Sequence, residues 1–218
     1  YLIPDEMEFA EAALVEPFCV GMAGVKKYPV TAESKVVILG AGIIGMCAFA
    51  YLKSHGVKDI VVVDVNAHRL ALAEKAGAIS FHSQKGDLKD FLTGTFGSSF
   101  SMLAGMVPDV DLYIDAAGSV SLMNTILDII KIGGQITVLA AYHDLAAINM
   151  SGFMYNSVKM VGSCMFTHED ILEAIEVLSE NKTIADVFIT HRIPFSDAVE
   201  GFCVANDPDQ CLKVMLID

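Results

Sequence analysis

Positive charge is scarce in this sequence of 218 residues. It holds 14 Lys and Arg side chains against 27 Asp and Glu side chains, so its formal net charge is −13 at pH 7. Such a surplus repels polyanions and anionic lipid headgroups through the field of the whole molecule. The composition therefore indicates a protein that binds neither nucleic acid nor a membrane surface.

Paired cysteines are also lacking. The five cysteines are Cys19, Cys47, Cys164, Cys203 and Cys211. None forms a Cys-x-x-Cys pair, and no histidine stands at the spacing of a zinc finger. An odd, scattered set predicts reduced thiols in the cytoplasm rather than a disulfide framework. No signal peptide is recognisable, and we expect each cysteine to be a small apolar residue of the core.

The long uncharged run of this sequence is a poor candidate for a membrane span. Residues 36–52 carry no charge, but they fall short of the about 20 residues that a span needs. They contain three glycines within six positions and are flanked by Lys35 and Lys53. A buried strand followed by a helix explains the run better. With 54% hydrophobic residues, the chain can bury a sizeable core in one large or two smaller domains.

The three glycines stand where that strand would meet that helix. An apolar, largely β-branched strand stops at Gly40, a helix-like run begins after Gly42, and Gly45 completes the pattern Gly-x-Gly-x-x-Gly. In this setting the first glycine permits a tight turn, the second lets a pyrophosphate approach, and the third lets the helix pack on the strand. The helix N-terminus offers N–H groups to the phosphates. The segment therefore predicts a dinucleotide-binding site, which the overall negative charge does not oppose.

An acidic residue ends the next strand at a matching distance. Asp64 lies 19 residues after Gly45, close to the about 20 expected for a carboxylate that holds the ribose. The alternative is a capping Asp behind a glycine-containing core strand. A carboxylate would repel a 2′-phosphate, so Asp64 favours NAD over NADP. Arg69 follows near the start of a predicted helix, where it could lie over the ribose or adenine or could face solvent.

Strands and helices alternate through the rest of the middle region. Further strands are expected at residues 78–82, 110–115, 135–140 and 158–164. Helices are expected at residues 67–76, 88–92 and 122–132. The small residue Ala117 follows the fourth strand, where the backbone could pass close to a cofactor. The alternation predicts an α/β fold with a doubly wound parallel sheet of the Rossmann type.

Helical segments flank this region on both sides. Phe9, Ala12 and Ala13 predict the apolar face of a short leading helix. Glu16 precedes a proline that can open a helix, so it is either a first-turn carboxylate or a functional residue. Residues 169–180 predict an amphipathic helix capped by Thr167, and the remainder resembles an incomplete second unit.

Taken together, these segments resemble the medium-chain, zinc-dependent alcohol dehydrogenases, and within them the sorbitol (polyol) and threonine dehydrogenase branch. The resemblance covers nearly the whole chain, and it rests on the order and spacing of several short segments. These are Ile3-Pro4-Asp5, residues 13–17, the glycine motif, Asp64 with Arg69, and residues 133–135, 161–163 and 189–194.

The resemblance implies roles for individual residues. Those expected to contact the cofactor through the glycine motif are Gly40, Gly42, Ile43, Ile44 and Gly45. Asp64 would hold the adenosine ribose, and Arg69 would lie against the adenosine end. Those expected to line the nicotinamide ribose are Leu139, Ala140 and Ala141. Those expected to offer backbone contacts near the nicotinamide are Ser163 and Cys164.

The resemblance also implies hydride transfer between a secondary alcohol and NAD, assisted by zinc. Glu16 matches a glutamate near the catalytic zinc, but the family's zinc ligands, a Cys and a Gly-His-Glu motif, have no counterpart here. We therefore expect no metal ligands in this chain, which would be an inactive cofactor-binding portion of a longer enzyme that carries zinc elsewhere. Met165-Phe166 replaces an Arg-aromatic pair of the polyol dehydrogenases, which removes a charged donor for a polyol.

Three portions are expected: residues 1–30 and 165–218 belong to a catalytic domain, and residues 31–164 form the dinucleotide-binding domain. The expected partners are NAD, a small alcohol and further copies of the chain in a homodimer or homotetramer, paired through residues 147–160. Two alternatives stay open. One is a nucleotide-sensing module without catalysis, and the other is a zinc-free quinone reductase of the same superfamily, whose preference for NADPH conflicts with Asp64.

Overall fold

The computed structural model describes residues 1–218 and has a six-stranded parallel sheet at its centre. The strands are β1 (Lys35–Leu39), β2 (Asp59–Asp64), β3 (Ile79–His82), β4 (Ser98–Ser101), β5 (Gly105–Pro108), β6 (Leu112–Asp115), β7 (Gln135–Val138), β8 (Lys159–Gly162), β9 (Ile189–Pro194) and β10 (Lys213–Ile217). The helices are α1 (Phe9–Ala12), α2 (Val15–Val25), α3 (Ile43–Ser54), α4 (Ala67–Lys75), α5 (Leu88–Phe96), α6 (Val120–Ile129), α7 (Met150–Tyr155), α8 (His168–Glu180), α9 (Thr183–Phe188) and α10 (Ala198–Ala205).

The strand order of the large sheet is β3-β2-β1-β6-β7-β8, and every neighbouring pair is parallel. The chain therefore builds outward from β1 to β3, returns to β6 beside β1, and builds outward in the other direction. Such a reversal leaves a crevice at the carboxyl ends of the two central strands. Leu39 of β1 is in register with Val63 on one side and Asp115 on the other. The predicted doubly wound Rossmann fold is confirmed.

Both faces of the sheet are covered, which explains the nearly continuous apolar strands. Val36 and Ile38 of β1 face one core, while Val37 and Leu39 face the other. The first core is closed by α2, α3 and α8. The second is closed by α5 and α6. A parallel sheet buried on both faces needs apolar residues at successive positions, not at alternate ones.

Helix α2 packs directly against the dinucleotide-binding part. A Cβ built on Gly21 would lie 2.5 Å from the backbone N of Ala48 in α3, and one on Gly24 would lie 2.6 Å from the side chain of Leu139. Glycine at these two positions allows α2 to approach the backbone of α3 and the side chain of Leu139 this closely. The expected domain boundary at residue 30 stays a prediction. Wherever that boundary lies, α2 shares its hydrophobic core with the sheet.

Ion pairs tie together the amino ends of the central strands. The Lys131 ammonium lies 2.7 Å from Asp109 and also pairs with Asp111. Lys35, the first residue of β1, lies 2.6 Å from Asp109 and donates its backbone N–H to Asp111. Two lysines and two aspartates therefore join β1 to the connections that precede β6 and β7.

The structure differs from the sequence-based expectation at several places. Cys164 and Cys203, expected in the core like the other cysteines, are exposed. Residues 98–108, where the sequence predicted no strand, form an antiparallel hairpin of β4 and β5 that turns before Gly105. Residues distant in the sequence hold the backbone of this hairpin, because Met102 N donates to the Asn156 side chain and Ile132 N donates to the Phe100 carbonyl. Phe9 was expected on the apolar face of α1, but it is 87% exposed.

The last part of the chain forms a small unit beside the main sheet. Strands β9 and β10 pair in parallel, and α10 lies over them at Gly201. The turn after α10 reaches back to α4, because the Asn66 amide donates to the Pro208 carbonyl and to Asp209. Every helix is too short or too polar to cross a bilayer.

Candidate functional site

A cavity of about 590 Å³ lies at the carboxyl ends of β1, β2 and β6, where the strand order reverses. Its lining consists of Gly40, Gly42, Val63, Asp64, Val65, Arg69, Ser83, Gln84, Ala116, Ala117, Ser119, Ser121, Leu122 and Thr125. Five residues predicted from the sequence meet here, namely Gly40, Gly42, Asp64, Arg69 and Ala117. The volume is within the about 300–1,000 Å³ of small-molecule sites.

The three glycines of the motif have three different surroundings. Gly40 has φ +101°, a backbone conformation that side chains rarely adopt, and its backbone lies against Ala116 and Ala117. A Cβ on Gly45 would collide with the Gly40 carbonyl oxygen, so α3 begins directly against the loop. A Cβ on Gly42 would meet only the Arg69 guanidinium, at 3.9 Å. The backbone at Gly42 is therefore open to the cavity, next to the first N–H groups of α3.

The Asp64 carboxylate is held in place by backbone donors. Its Oδ2 accepts from Ala41 N at 2.6 Å, and its Oδ1 accepts from Asn66 N at 2.8 Å. Each carboxylate oxygen can accept a further hydrogen bond. Asp64 therefore presents oriented acceptors to the cavity beside the glycine loop.

Arg69 supplies the positive charge of the site. Its backbone N–H donates to the Asn66 side chain, which caps α4. Its guanidinium makes no hydrogen bond or ion pair, and its Nε is buried without a partner. Buried polar groups of native proteins are normally paired, so a group aimed at this cavity with its hydrogen bonds unmade fits a ligand that would complete them.

Two further side chains, absent from the sequence-based prediction, organise the other side of the crevice. Asp115 ends β6 and is buried. Its Oδ1 accepts from Ala117 N at 3.1 Å and Gly118 N at 3.0 Å, and its Oδ2 accepts from the Tyr142 hydroxyl at 2.7 Å. Asp115 could have been found from the pattern that singled out Asp64, because each is an acid that ends an apolar strand. Nothing in the sequence pairs it with Tyr142.

The other predicted cofactor residues lie outside the cavity lining. In the first turn of α3, Ile43 packs on the core, Ile44 is half-buried and Gly45 is buried. Beyond β7, Leu139 packs under α2, while Ala140 and Ala141 approach Gly118. Past β8, Ser163 is buried with its Oγ unpartnered, and Cys164 is exposed. These residues follow the ends of β7 and β8, to one side of the cavity.

Glu16 is separated from this site. It is exposed in the first turn of α2, beside a small groove that also contains Cys19 and Phe166. Burial, with smaller effects from Asp170 and Glu16, raises the pKa of the Cys19 thiol to about 11, so the thiol stays protonated at neutral pH. No group of three or more His, Cys, Asp or Glu side chains could hold a metal ion. A catalytic zinc needs three protein ligands, so the residues of this chain do not fit one.

The sequence profile described as zinc-binding dehydrogenase matches residues 44–180, more than half of the chain. The chain belongs to this family. The predicted resemblance is thereby confirmed.

Known proteins resemble nearly the whole of this chain, which spans only part of their own length. The sorbitol dehydrogenase of Arabidopsis thaliana is 27% identical over 99% of this chain, which spans 58% of that protein's length. The solved 2R,3R-butanediol dehydrogenase of Bacillus subtilis matches the whole chain with a TM-score of 0.86 at 22% identity, and 60% of its own length is covered. An alcohol dehydrogenase of Escherichia coli CFT073, solved with NADH, has a TM-score of 0.85 at 21% identity, with 100% and 62% of the two chains covered. At these identities the two structures show the fold alone.

Proposed function

We propose that this chain is the NAD(H)-binding portion of an alcohol dehydrogenase that transfers hydride between a secondary alcohol and NAD. One observation carries the proposal: a single crevice brings together the open face of Gly42, the oriented carboxylate of Asp64 and the unpartnered guanidinium of Arg69. The NADH complex of one structural neighbour and the sorbitol dehydrogenase relative support the same ligand and the same class of reaction.

Each part of a dinucleotide has a counterpart in the crevice. The pyrophosphate would lie over Gly42, where no side chain intervenes and the N-terminus of α3 presents its N–H groups. The adenosine ribose would donate its hydroxyl hydrogens to Asp64, and Arg69 would cover the adenosine end. The other nucleoside would then extend past β1 toward the ends of β6 and β7, near Ala117.

The bound cofactor would supply the hydride acceptor, and the protein would supply position and electrostatics. The residues proposed to surround the nicotinamide and its ribose are Leu139, Ala140, Ala141, Ser163 and Cys164. The alcohol and the zinc would be held by another part of the enzyme, because the residues of this chain do not fit the metal. On this proposal the chain alone binds cofactor without turning over alcohol, and Glu16 acts only beside that other part.

Asp64 is expected to choose between the two nicotinamide cofactors. Replacement of Asp64 by Ala removes the acceptors for the ribose hydroxyls and the negative charge that repels a 2′-phosphate. The affinity for NAD should fall about 10–100-fold, the value of one or two hydrogen bonds to a charged group, while the affinity for NADP falls less or rises. Parallel calorimetric titrations with NAD and NADP measure both changes.

Asp59 provides a matched control, because it is the first residue of β2, the strand that Asp64 ends, and therefore lies at the opposite end of that strand. Its replacement by Ala should leave both affinities unchanged. Wild-type binding of NADP more tightly than NAD would contradict the proposal and favour the quinone reductase alternative. Unchanged affinities in the Asp64→Ala variant would remove this residue from the site.

The proposed enzyme assembles from copies of this chain and works in the cytoplasm. Strand β8 is an edge strand with β7 as its only neighbour, so its outer N–H and C=O groups are open to a second copy. All five cysteines are free, which agrees with a reducing compartment.

A further inference from the structure

We propose that Tyr142 is a positioning residue for the nicotinamide half of the cofactor, acting by fastening the loop that follows β7 to the carboxylate of Asp115. The inference rests on the proposed NAD(H) binding and adds to it a residue that selects for the second nucleoside of the dinucleotide.

The fastening consists of four contacts between two neighbouring loops. The Tyr142 hydroxyl donates to Asp115 Oδ2 at 2.7 Å, while Leu139 N and Ala140 N donate to the Asp115 carbonyl at 2.8 and 3.0 Å. The fourth contact is steric, because a Cβ on Gly118 would lie 3.0 Å from the Ala141 carbonyl oxygen. The loop after β7 is thus held at van der Waals distance from the loop after β6.

Asp115 is well suited to hold this loop. It is 2% exposed, and its other oxygen accepts from Ala117 N and Gly118 N, so it cannot turn away from Tyr142 without breaking these two hydrogen bonds as well. Burial and the hydrogen bond to Asp115 both raise the pKa of the Tyr142 hydroxyl, which therefore remains a donor throughout the physiological range. A hydrogen bond from a neutral hydroxyl to a buried carboxylate is among the stronger kinds in proteins.

The position of the pair assigns it to one half of the cofactor. Asp64 and Arg69 lie on the β2 side of β1, and the Tyr142–Asp115 pair lies on the β6 and β7 side. A dinucleotide crosses the strand ends at the switch point, with its adenosine over β2. The loop fastened by Tyr142 therefore meets the nucleoside that carries the nicotinamide, and it has no contact with the adenosine end.

The test compares NADH with ADP, which has the same adenosine and both phosphates but lacks the second nucleoside. Binding of NADH to the 218-residue chain is followed by the fluorescence of its reduced ring, and ADP is measured by calorimetry. Wild-type protein should bind NADH more tightly and enhance its emission. In Tyr142→Phe the affinity for NADH should fall roughly tenfold with a smaller enhancement, while the affinity for ADP changes less than about twofold.

Tyr28→Phe is the matched control. It also removes a tyrosine hydroxyl that donates a hydrogen bond, in this case to the Lys159 carbonyl at 2.9 Å, and it lies away from both loops. This variant should lose some thermal stability and keep the wild-type ratio of the two affinities. A Tyr142→Phe variant that loses both ligands equally, or neither, would overturn the positioning role. Wild-type protein that binds neither ligand would overturn the proposed function itself, and equal wild-type affinity for both would overturn the inference alone.

Discussion

Gly42 and Gly45 are three positions apart, just before and within the first turn of α3, yet the same added methyl group should have different effects at the two. At Gly45 it would collide with the Gly40 carbonyl oxygen, which is part of the backbone and has no room to move. At Gly42 it would stand in the cavity, with only the Arg69 guanidinium nearby. Gly45 is therefore needed for the fold, and Gly42 leaves space for the ligand.

Gly45→Ala should lower the free energy of unfolding by about 3 kcal/mol, the upper range for an overpacked site. Gly42→Ala should leave the free energy of unfolding unchanged and weaken NAD binding roughly tenfold. Urea unfolding and calorimetric titration of both variants measure the two effects separately. Gly94→Ala is the control, because its methyl group would meet nothing within 4 Å and should add about 0.5–1 kcal/mol of helix stability. Equal loss of stability at Gly42 and Gly45 would contradict this division.

The residues that could be predicted at this scale are those whose neighbours are fixed by strand geometry. Asp64 and the glycine motif end adjacent parallel strands, so their spacing in sequence determines their meeting in space. The hydrogen bond between Tyr142 and Asp115 depends on the path of an irregular loop, which no periodicity encodes. The exposure of Phe9 is similar, because a helix of four residues has too few positions to define a face.

The elements of the central sheet depend on charges as well as on apolar packing. Burial alone would raise the pKa of Asp109, but the hydrogen bonds from Lys131 and Lys35 outweigh it and hold that pKa below its usual value. Burial would likewise lower the pKa of Lys131, and the bonds to Asp109 and Asp111 instead raise it. Both shifts mean that the charged forms are favoured in the folded state.

Lys131→Met should therefore destabilise the protein by about 2 kcal/mol at pH 7, as expected for hydrogen bonds between charged groups. Because the pKa of Asp109 is lowered, its contribution is present above about pH 4 and is lost as the pH falls through the folded value. Because the pKa of Lys131 is raised, its contribution is present below about pH 10.4 and is lost as the pH rises through the folded value. The difference in unfolding free energy between wild type and variant should be constant from about pH 5 to 9. It should become smaller below and above this pH range.

Lys85→Met is the control for this series, because Lys85 is exposed and takes part in no ion pair. Its unfolding free energy should match that of the wild type at every pH. A Lys131→Met difference that persists unchanged at pH 3 would show that the lysine acts through its hydrocarbon chain and not through its charge.

Prediction of the elements from the sequence succeeded where apolar runs are long and failed where tertiary contacts decide. All six strands of the large sheet lie within or close to their predicted ranges, and the clearest signal comes from the buried apolar runs of β1, β2 and β6. The hairpin of β4 and β5 has two short strands, the first rich in serine, and its position depends on Asn156, which is distant in the chain. Contacts of that kind leave no local pattern.

For the molecule as a whole, the open edge of β8 is the feature that predicts association. Lys159 N donates to Gly134 O and Ser163 N donates to Val138 O, so these N–H groups point toward β7. Successive N–H groups of a strand alternate in direction, and that of Gly162 therefore points to the open edge. A second copy could pair there without disturbing the sheet.

Gly162→Pro should convert a wild-type dimer to monomer, because it removes an outward N–H group while keeping the bonds to β7. Gly162→Ala keeps that N–H, its methyl group would meet nothing within 4 Å, and it should remain dimeric. Sedimentation velocity of the three proteins measures the change. A monomeric wild type, or a dimeric proline variant, would remove β8 from the interface.

The crossing of α2 and α3 limits how this molecule can open and close. With the Gly21 backbone seated against Ala48, and Phe18 and Met22 fully buried beside it, neither helix can slide or roll without vacating close-packed space. Helix α2 is consequently fixed in position relative to α3 and to the sheet on which both helices pack. A hinge between α2 and α3 is therefore not expected, and a displacement of α2 would move the glycine loop at the start of α3 with it.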